Sequence, residues 1–382
     1  MNILFITHYS KLYGANRSLL LLLKGLKEKD INLLVFLPKD GPLTNELDKL
    51  DIPYRKIRFF PWMGVKKNFY FLEASFRFLF NLFILPLLVL FTLNFKPSLI
   101  YTNSSTTPIG IYLALIFRKP HVWHIRELGK LDYNLEHDLG RKYFYFFMKK
   151  SAAIICISDF VKSNLFEVYW KNISVINNAV FSDDDLHILD TKPLTEKNKV
   201  FTFLIMSIVH PSKSIHDAIE ALAEIKKEFQ DIKLVICGGD EDKHYRRNLD
   251  KLISKLELDE IVSFMGFVEK PTEMYKIADA VLICSRNEAW GRVAAEAMIF
   301  EKPVIGYKGG GTLGIISDKE NGLLYEDIRS LVNCMKLVMQ EKELVDKLTN
   351  NARQSALKKF NQSAYVEKIY QVITEVLKQN GS

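Results

Sequence analysis

Two glutamates and the glycine between them form the most specific chemical pattern in the chain. From Asn287 to Met298 the sequence reads NEAWGRVAAEAM, with seven residues separating Glu288 from Glu296. A helix beginning near Gly291 puts Glu288 in the loop ahead of it and Glu296 a turn and a half inside. The N–H groups of Gly291, Arg292 and Val293 then lack intrahelical acceptors and form a ready anion site. Two carboxylates flanking an anion site suit a polyhydroxylated phosphate ester, one accepting sugar hydroxyl protons and the other those of a ribose. A solvated helix bearing two glutamates has the same spacing, so the pattern alone leaves both open.

Other candidates are less specific. Gly14 and Ala15 follow the first apolar run, where backbone without large side chains can approach a phosphate or an acceptor closely. That loop is not GxGxxG and no acidic residue ends the second strand, so a nicotinamide dehydrogenase fits poorly. His124 ends the strand HVWHIRE, and His121, three residues earlier, faces the other side. Gly238 and Gly239 (CGGD) and the run Gly266, Phe267, Val268 close two strands of the second half, as turns or as ligand borders. Asp183 to Asp185 look like a metal site but fall in a linker and read as a solvated run. No Cys/His cluster has metal-ligand spacing, and Cys156, Cys237, Cys284 and Cys334 read as buried thiols of a reducing compartment.

The elements that must position these residues follow from length and periodicity. A chain of 382 residues exceeds what one core supports, so two domains are expected. With 48% hydrophobic and 25% charged residues it is neither disordered nor a disulfide scaffold. Apolar runs alternate with helical stretches: ILFIT, INLLVFLP, SLIYTNS, HVWHIRE, SAAIICIS, and after a gap FTFLIMSIV, IKLVICGG, IVSFMGFV, AVLICS and PVIGY. Such alternation indicates parallel sheets covered on both faces. The expectation is an α/β chain of two Rossmann-like, doubly wound parallel-sheet domains facing an interdomain cleft, where ligands of such sheets bind. Residues 1–182 form the first domain, 183–199 a linker, 200–360 the second domain, and 361–382 a helix crossing back to the first.

Charge is unevenly distributed. Through Asp190 the chain holds 24 Lys and Arg against 17 Asp and Glu, leaving 28 of each for the remainder. The net charge of +7 therefore belongs to the first half. Within it, residues 69–95 are nearly all apolar but interrupted by Arg77, Asn81 and Pro86. The 16 residues from Phe78 to Leu93 make roughly 24 Å of helix, short of a bilayer's 30 Å. A helix lying in a membrane interface, flanked by Lys66, Lys67, Arg77 and Lys96, is the reading carried forward, with a buried core helix as the alternative. Nucleic-acid binding is not expected, because no recognition motif accompanies the charge. The N-terminus shows no secretory signal pattern, so a cytoplasmic protein, peripheral on the inner face of the membrane, is expected.

The stretch NEAWGRVAAEAMIFEKPVIGYKGGGTLGIISDKENGLLY resembles the signature of retaining glycosyltransferase family 4. In the same order along the chain, YGANRSLLLLLKGL, HVWHIREL, AIICISDFVKSNL, ISVINNAV and HPSKSIHDAIEAL resemble further motifs of that family. The resemblance implies a GT-B fold and transfer of a sugar from a nucleotide-diphosphate sugar, with no metal cofactor. It implies catalytic roles for Glu288, His124 and Lys213. Glu288 would contact the transferred sugar, His124 would hydrogen-bond it near its 6-position, and Lys213 would neutralise the diphosphate. Glu296 would hold the ribose, with Gly291, Arg292, Val293, Gly14, Ala15, Gly238, Gly239, Phe267 and Val268 lining the donor. Arg126 and Asn103 are candidate phosphate or acceptor contacts. The family usually carries Gly-Arg where this chain has Ser207 and Ile208, so one phosphate cation is missing, and Arg292 or Arg126 would replace it. The acceptor would be a lipid-linked or oligosaccharide chain of a surface polysaccharide, met at an anionic membrane surface. A nucleotide-sugar epimerase on the same fold and a non-catalytic binding subunit are the alternatives.

Overall fold

The computed structural model describes residues 1–166, 170, 172–185 and 200–381. The linker expected at 183–199 lies outside the described residues from 186 onward. The chain divides into two compact units. One holds Met1–Asp183 together with the C-terminal stretch from Asn361, and the other runs between them to Phe360.

The first unit alternates strand and helix from its start: β1 (Asn2–Ile6), α1 (Gly14–Lys27), β2 (Asn32–Leu37), α2 (Pro42–Lys49), β3 (Tyr54–Lys56) and β4 (Met63–Val65). It continues with α3 (Tyr70–Phe95), β5 (Leu99–Thr102), α4 (Ile109–Phe117), β6 (His121–Ile125), α5 (Lys130–Tyr133) and β7 (Leu135–His137). Then come α6 (Gly140–Met148), β8 (Ala153–Cys156), α7 (Asp159–Leu165) and β9 (Ile173–Val175). Seven strands form one parallel sheet in the order β3-β2-β1-β5-β6-β8-β9, while β4 and β7 pair antiparallel apart from it. The runs ILFI, LIYT and AIIC are buried along their whole length because helices cover both sheet faces.

The second unit repeats the scheme with β10 (Phe201–Met206), α8 (Ile215–Lys226), β11 (Ile232–Cys237), α9 (Lys243–Lys255), β12 (Val262–Gly266) and α10 (Pro271–Ile277). It goes on through β13 (Ala280–Ile283), α11 (Arg292–Ile299), β14 (Val304–Tyr307), β15 (Leu323–Tyr325), α12 (Ile328–Gln340) and α13 (Lys342–Lys359). Its parallel sheet runs β12-β11-β10-β13-β14-β15. Its core joins Phe203, Ile219, Leu234, Leu282 and Met335.

The last helix, α14 (Gln362–Gln379), belongs to the first unit. Asn361 caps it, accepting from the Ala364 N–H at 2.8 Å. Tyr365, Val366, Ile369 and Ile373 enter the same core as Leu19, Leu22, Leu33 and Tyr101. A Cβ on Gly25 of α1 would lie 2.6 Å from Val366 Cγ2, so a glycine lets the two helices meet this closely.

The apolar segment differs from its expectation. α3 is one continuous helix of 26 residues with Pro86 inside it, about 39 Å long at 1.5 Å per residue, so the length argument against spanning fails. Of the three residues read as interruptions, Arg77 and Asn81 face inward, while Pro86 is exposed. Arg77 donates to both carboxylate oxygens of Asp138 at 2.8 and 2.5 Å. Asn81 accepts from the Phe60 N–H and donates to the Phe60 carbonyl, at 2.8 and 2.9 Å. Leucines and phenylalanines point outward, with Phe83 80% and Phe71 77% exposed. The helix thus meets the protein through Arg77 and Asn81 as well as the buried Ala74, Leu88 and Thr92, and turns a mostly apolar face to its surroundings.

Candidate active site

In the second unit the chain leaves β13 through a loop, Ser285 to Trp290, that enters α11 at Gly291. Gly291 has φ +102°, a left-handed conformation that side chains resist. Glu288 in that loop accepts a hydrogen bond and ion pair from Lys213 Nζ at 2.8 Å. Their side chains are 21% and 15% exposed, so the pair is mostly removed from water. Burial raises the Glu288 pKa, but the charge of Lys213, its hydrogen bond and that of Ser285 outweigh it. The carboxyl is held below its usual range and is ionised at neutral pH.

Lys213 is placed by a single 3-10 turn, Pro211–Lys213, between β10 and α8. His210 caps the turn, its Nδ1 accepting from the Ser212 N–H at 3.2 Å. Ser214 adopts φ +46° to enter α8. Glu296 is fixed on both oxygens. Arg292 Nε donates to one at 2.7 Å and the Tyr275 hydroxyl to the other at 2.8 Å. Arg292, offered above as a replacement phosphate ligand, thus reaches forward along its own helix to Glu296.

The floor under Glu288 is the run Gly309 to Gly311 after β14. The Gly311 N–H donates to the Glu288 carbonyl at 2.6 Å. Gly310 has φ +64°, and a Cβ there would lie 2.7 Å from the Glu288 nitrogen. Three consecutive glycines were the available signal for this support, whereas nothing local marks Tyr275 or Ser285 as carboxylate partners. Gly238 has a backbone reason of its own. A Cβ on it would lie 1.9 Å from the Ser207 carbonyl oxygen, at the crossing of the loops after β10 and β11. Gly239 accepts from the Val209 N–H at 2.9 Å. Phe267 is half exposed and Val268 partly buried just beyond β12. These residues and Glu288 all lie past the carboxyl ends of the second sheet's strands, where doubly wound folds bind ligands.

The first unit gathers its own candidates at and past the carboxyl ends of β1, β5 and β6. His124 is buried, its Nδ1 lying 2.5 Å from the Tyr101 hydroxyl and 3.3 Å from Arg126 Nη2. Arg126 can only donate, so Nδ1 accepts and the neutral ring carries its proton on Nε2. Burial, and then the charge of Arg126, hold the imidazole well below its ordinary pKa. Its Nε2–H is buried with no hydrogen-bond partner.

Arg126 is buried and bonded on all three nitrogens. Nε donates to Asn103 Oδ1 at 2.7 Å, Nη1 to Asn178 Oδ1 at 2.5 Å, and Nη2 to the Tyr365 hydroxyl at 3.0 Å. Its expected service as a stand-in phosphate ligand is therefore opposed by partners inside its own unit. Asn103 in turn donates to the Ala15 carbonyl at 3.4 Å, tying in the Gly14–Ala15 loop. Glu127, which sequence reasoning passed over, is a buried carboxylate accepting from Ser104 Oγ at 2.8 Å and from the Ser105 nitrogen and Oγ at 2.5 Å. Burial raises its pKa, against the opposing pull of those bonds and of Arg126. Past the end of β1, burial depresses His8 to about 3. A polar residue closing an apolar strand was the only signal either offered. Among the described residues, no group of three or more His, Cys, Asp or Glu side chains is placed to hold a metal ion.

Comparison with known proteins supplies the rest. Residues 13–183 match the family model described as Glycosyltransferase Family 4, and residues 189–355 match Glycosyl transferases group 1. The alpha-monoglucosyldiacylglycerol synthase of Acholeplasma laidlawii is 26% identical over 55% of this chain, a match spanning about half (52%) of that relative. The capsular polysaccharide biosynthesis glycosyltransferase CapM of Staphylococcus aureus is 23% identical over 75% of this chain and 78% of its own length. Among solved structures, Anabaena HepE in complex with UDP and glucose superposes with a TM-score of 0.79 at 21% identity, covering 98% of this chain and 99% of HepE. That likeness establishes the fold, GT-B.

Proposed function

The chain belongs to glycosyltransferase family 4, and from that premise we propose that it moves a sugar from a nucleotide-diphosphate donor to a saccharide acceptor with retention of anomeric configuration. The observation that carries this reading is the contact of Lys213 with Glu288 beside the N-terminus of α11. Breaking the anomeric C–O bond builds negative charge on the leaving diphosphate. Lys213 and the N–H groups at the start of α11 are preorganised to stabilise it, so no metal ion is required. Glu288 orients the sugar on its reacting side, and Glu296, held by Arg292 and Tyr275, accepts ribose hydroxyls with its remaining lone pairs. His124 offers its unpartnered Nε2–H to a sugar oxygen. In front-face transfer the acceptor oxygen bonds to C1 as the phosphate leaves, and the acceptor's proton passes to the departing phosphate oxygen. A UDP-sugar donor is favoured because HepE binds UDP-glucose.

The acceptor is read as lipid-linked and destined for a surface polysaccharide, in line with what CapM is named for. The outward apolar face of α3 supports a peripheral place on the cytoplasmic face of the membrane. Its inward bonds to Asp138 and Phe60 hold the helix along the first unit, so it lies in one leaflet rather than across both. The test is transfer from a panel of nucleotide sugars, with the anomeric configuration of the product read by NMR. Glu288→Gln and Lys213→Met should each lower kcat about 100-fold or more. Transfer that survives both substitutions unchanged would sink the reading, and conversion of the donor alone to an isomer would favour an epimerase. Flotation with vesicles should be lost in Phe83→Ser/Leu90→Ser.

A further inference from the structure

At the amino ends of β6 and β8, opposite the end carrying His124, the first unit holds a cavity of about 320 Å³. That is near the lower end of the size range of small-molecule sites. Arg118, Lys119 and Lys150 line it with Pro120, His121, Ala152, Asn380 and Gly381, and no carboxylate is among the lining residues. None of the three cations has an ion-pair partner among the described residues. Lys150 Nζ only rests 5.6 Å over the Phe146 ring.

Three helices end around this cavity: α4 at Phe117, α6 at Met148 and α14 at Gln379. Their carbonyl ends contribute roughly half a negative charge each, which explains why cations are tolerated together there. Three full positive charges still exceed that, leaving a positive field that an anion would neutralise. His121 does not add to it, since burial keeps its pKa near 3 and both ring nitrogens are engaged, by Thr102 and Ser151.

On the last turns of α4 and α6, two of the helices that end at the cavity, Leu115, Ile116 and Phe146 are 44%, 49% and 54% exposed. The end of α3 reaches the same sheet edge, where Asn2 Nδ2 donates to the Phe95 carbonyl at 3.0 Å. A cationic recess at the ends of helices that expose aliphatic and aromatic side chains suits a phosphate with hydrocarbon beneath it. We propose that this cavity binds the phosphate group of an anionic membrane lipid, with Arg118, Lys119 and Lys150 supplying the charge and Leu115, Ile116 and Phe146 meeting the acyl boundary. The inference rests on the membrane reading above for the presence of a bilayer, but uses none of the residues of α3.

The experiment uses the full chain and flotation with phosphatidylcholine vesicles, with or without about 30 mol% phosphatidylglycerol. Each cation near an anionic surface is worth a factor of about five, so Arg118→Gln/Lys119→Gln/Lys150→Gln should bind the anionic vesicles about 100-fold more weakly. The charge-matched control Lys243→Gln/Lys251→Gln/Lys255→Gln, on α9 of the other unit, should bind as the parent does. Sugar transfer to a water-soluble acceptor should stay unchanged in both. Equal flotation of the parent and the cavity variant would overturn the site while leaving the membrane reading standing. Failure of the parent to float at all would overturn both. Vesicle binding unchanged in the cavity variant, together with saturable binding of millimolar inorganic phosphate that the variant loses, would make this a soluble-phosphate site and refute the lipid assignment.

Discussion

Replacing Lys213 by methionine keeps the length of the side chain and removes one charge of a mostly buried pair. At 2.8 Å and an effective dielectric constant of 20, the attraction lost is about 6 kcal/mol, offset by the desolvation that both groups no longer share. Removing one partner of a buried pair costs about 3–5 kcal/mol. Because Glu288 keeps a fifth of its exposure, the lower end applies, about 3 kcal/mol. For a unit of this size that lowers the midpoint of thermal unfolding by about 6–12 °C. The pH dependence carries the sharper sign. In the parent, Glu288 has a folded pKa below its usual value, so its stabilisation is present above about 4.5 and is lost as pH falls through the folded pKa. Without Lys213 the main lowering influence is gone and burial raises the pKa instead. The variant should then gain stability as pH falls from 7 towards 5. Adding Glu288→Gln removes the orphaned charge and should recover most of the lost stability without restoring transfer. The assay is thermal or urea unfolding of the two single variants and the double variant across pH, beside donor turnover. A double variant no more stable than Lys213→Met would refute the reasoning.

Three other perturbations have worked signs. Gly310→Ala should reduce turnover at least tenfold while the protein stays folded by circular dichroism, because its Cβ would push the Glu288 backbone from 2.7 Å and φ is +64°. Gly25→Ala should destabilise by about 1–3 kcal/mol in urea unfolding despite the better helix propensity of alanine, and Val366→Ala should rescue part of it. His121, held near a pKa of 3 by burial, should make stability fall with acid between about pH 6.5 and 3, by roughly 1.4 kcal/mol per pH unit. His121→Gln should flatten that slope in unfolding curves taken at pH 5 and 7.5.

The parallel sheets were readable because runs such as ILFI and AIIC have to be buried on both faces, which leaves few alternatives. Glu288 and Glu296 stood out because their spacing brackets a helix start. What could not be read was pairing across distance. Lys213 and Glu288 are 75 positions apart, and Arg77 meets Asp138 61 positions away. Without those partners, Arg77 and Asn81 read as breaks in an apolar run, and the apolar stretch from Phe78 to Leu93 is 16 residues where the helix has 26. Gly238 was read as a possible ligand border because a sequence does not show the Ser207 carbonyl pressed against it. Arg126 looked available for a phosphate because Asn103, Asn178 and Tyr365 come from three separate parts of the chain.

The place of α14 bears on how the molecule is made. The first unit needs Tyr365, Val366, Ile369 and Ile373 to close the core built on Leu19 and Leu22, yet these residues leave the ribosome only after the whole second unit. At about 5–20 residues per second, the intervening stretch takes roughly 10–35 s to synthesise. Throughout that interval the nascent first unit exposes an open apolar seam along α1, while the second unit has all its own strands and helices in one uninterrupted stretch and can fold first. Vectorial synthesis thus reverses the order in which the two halves mature. A nonsense change shortly before Asn361 would release a chain whose late-translated half is complete and whose early half is a substrate for chaperones and proteases.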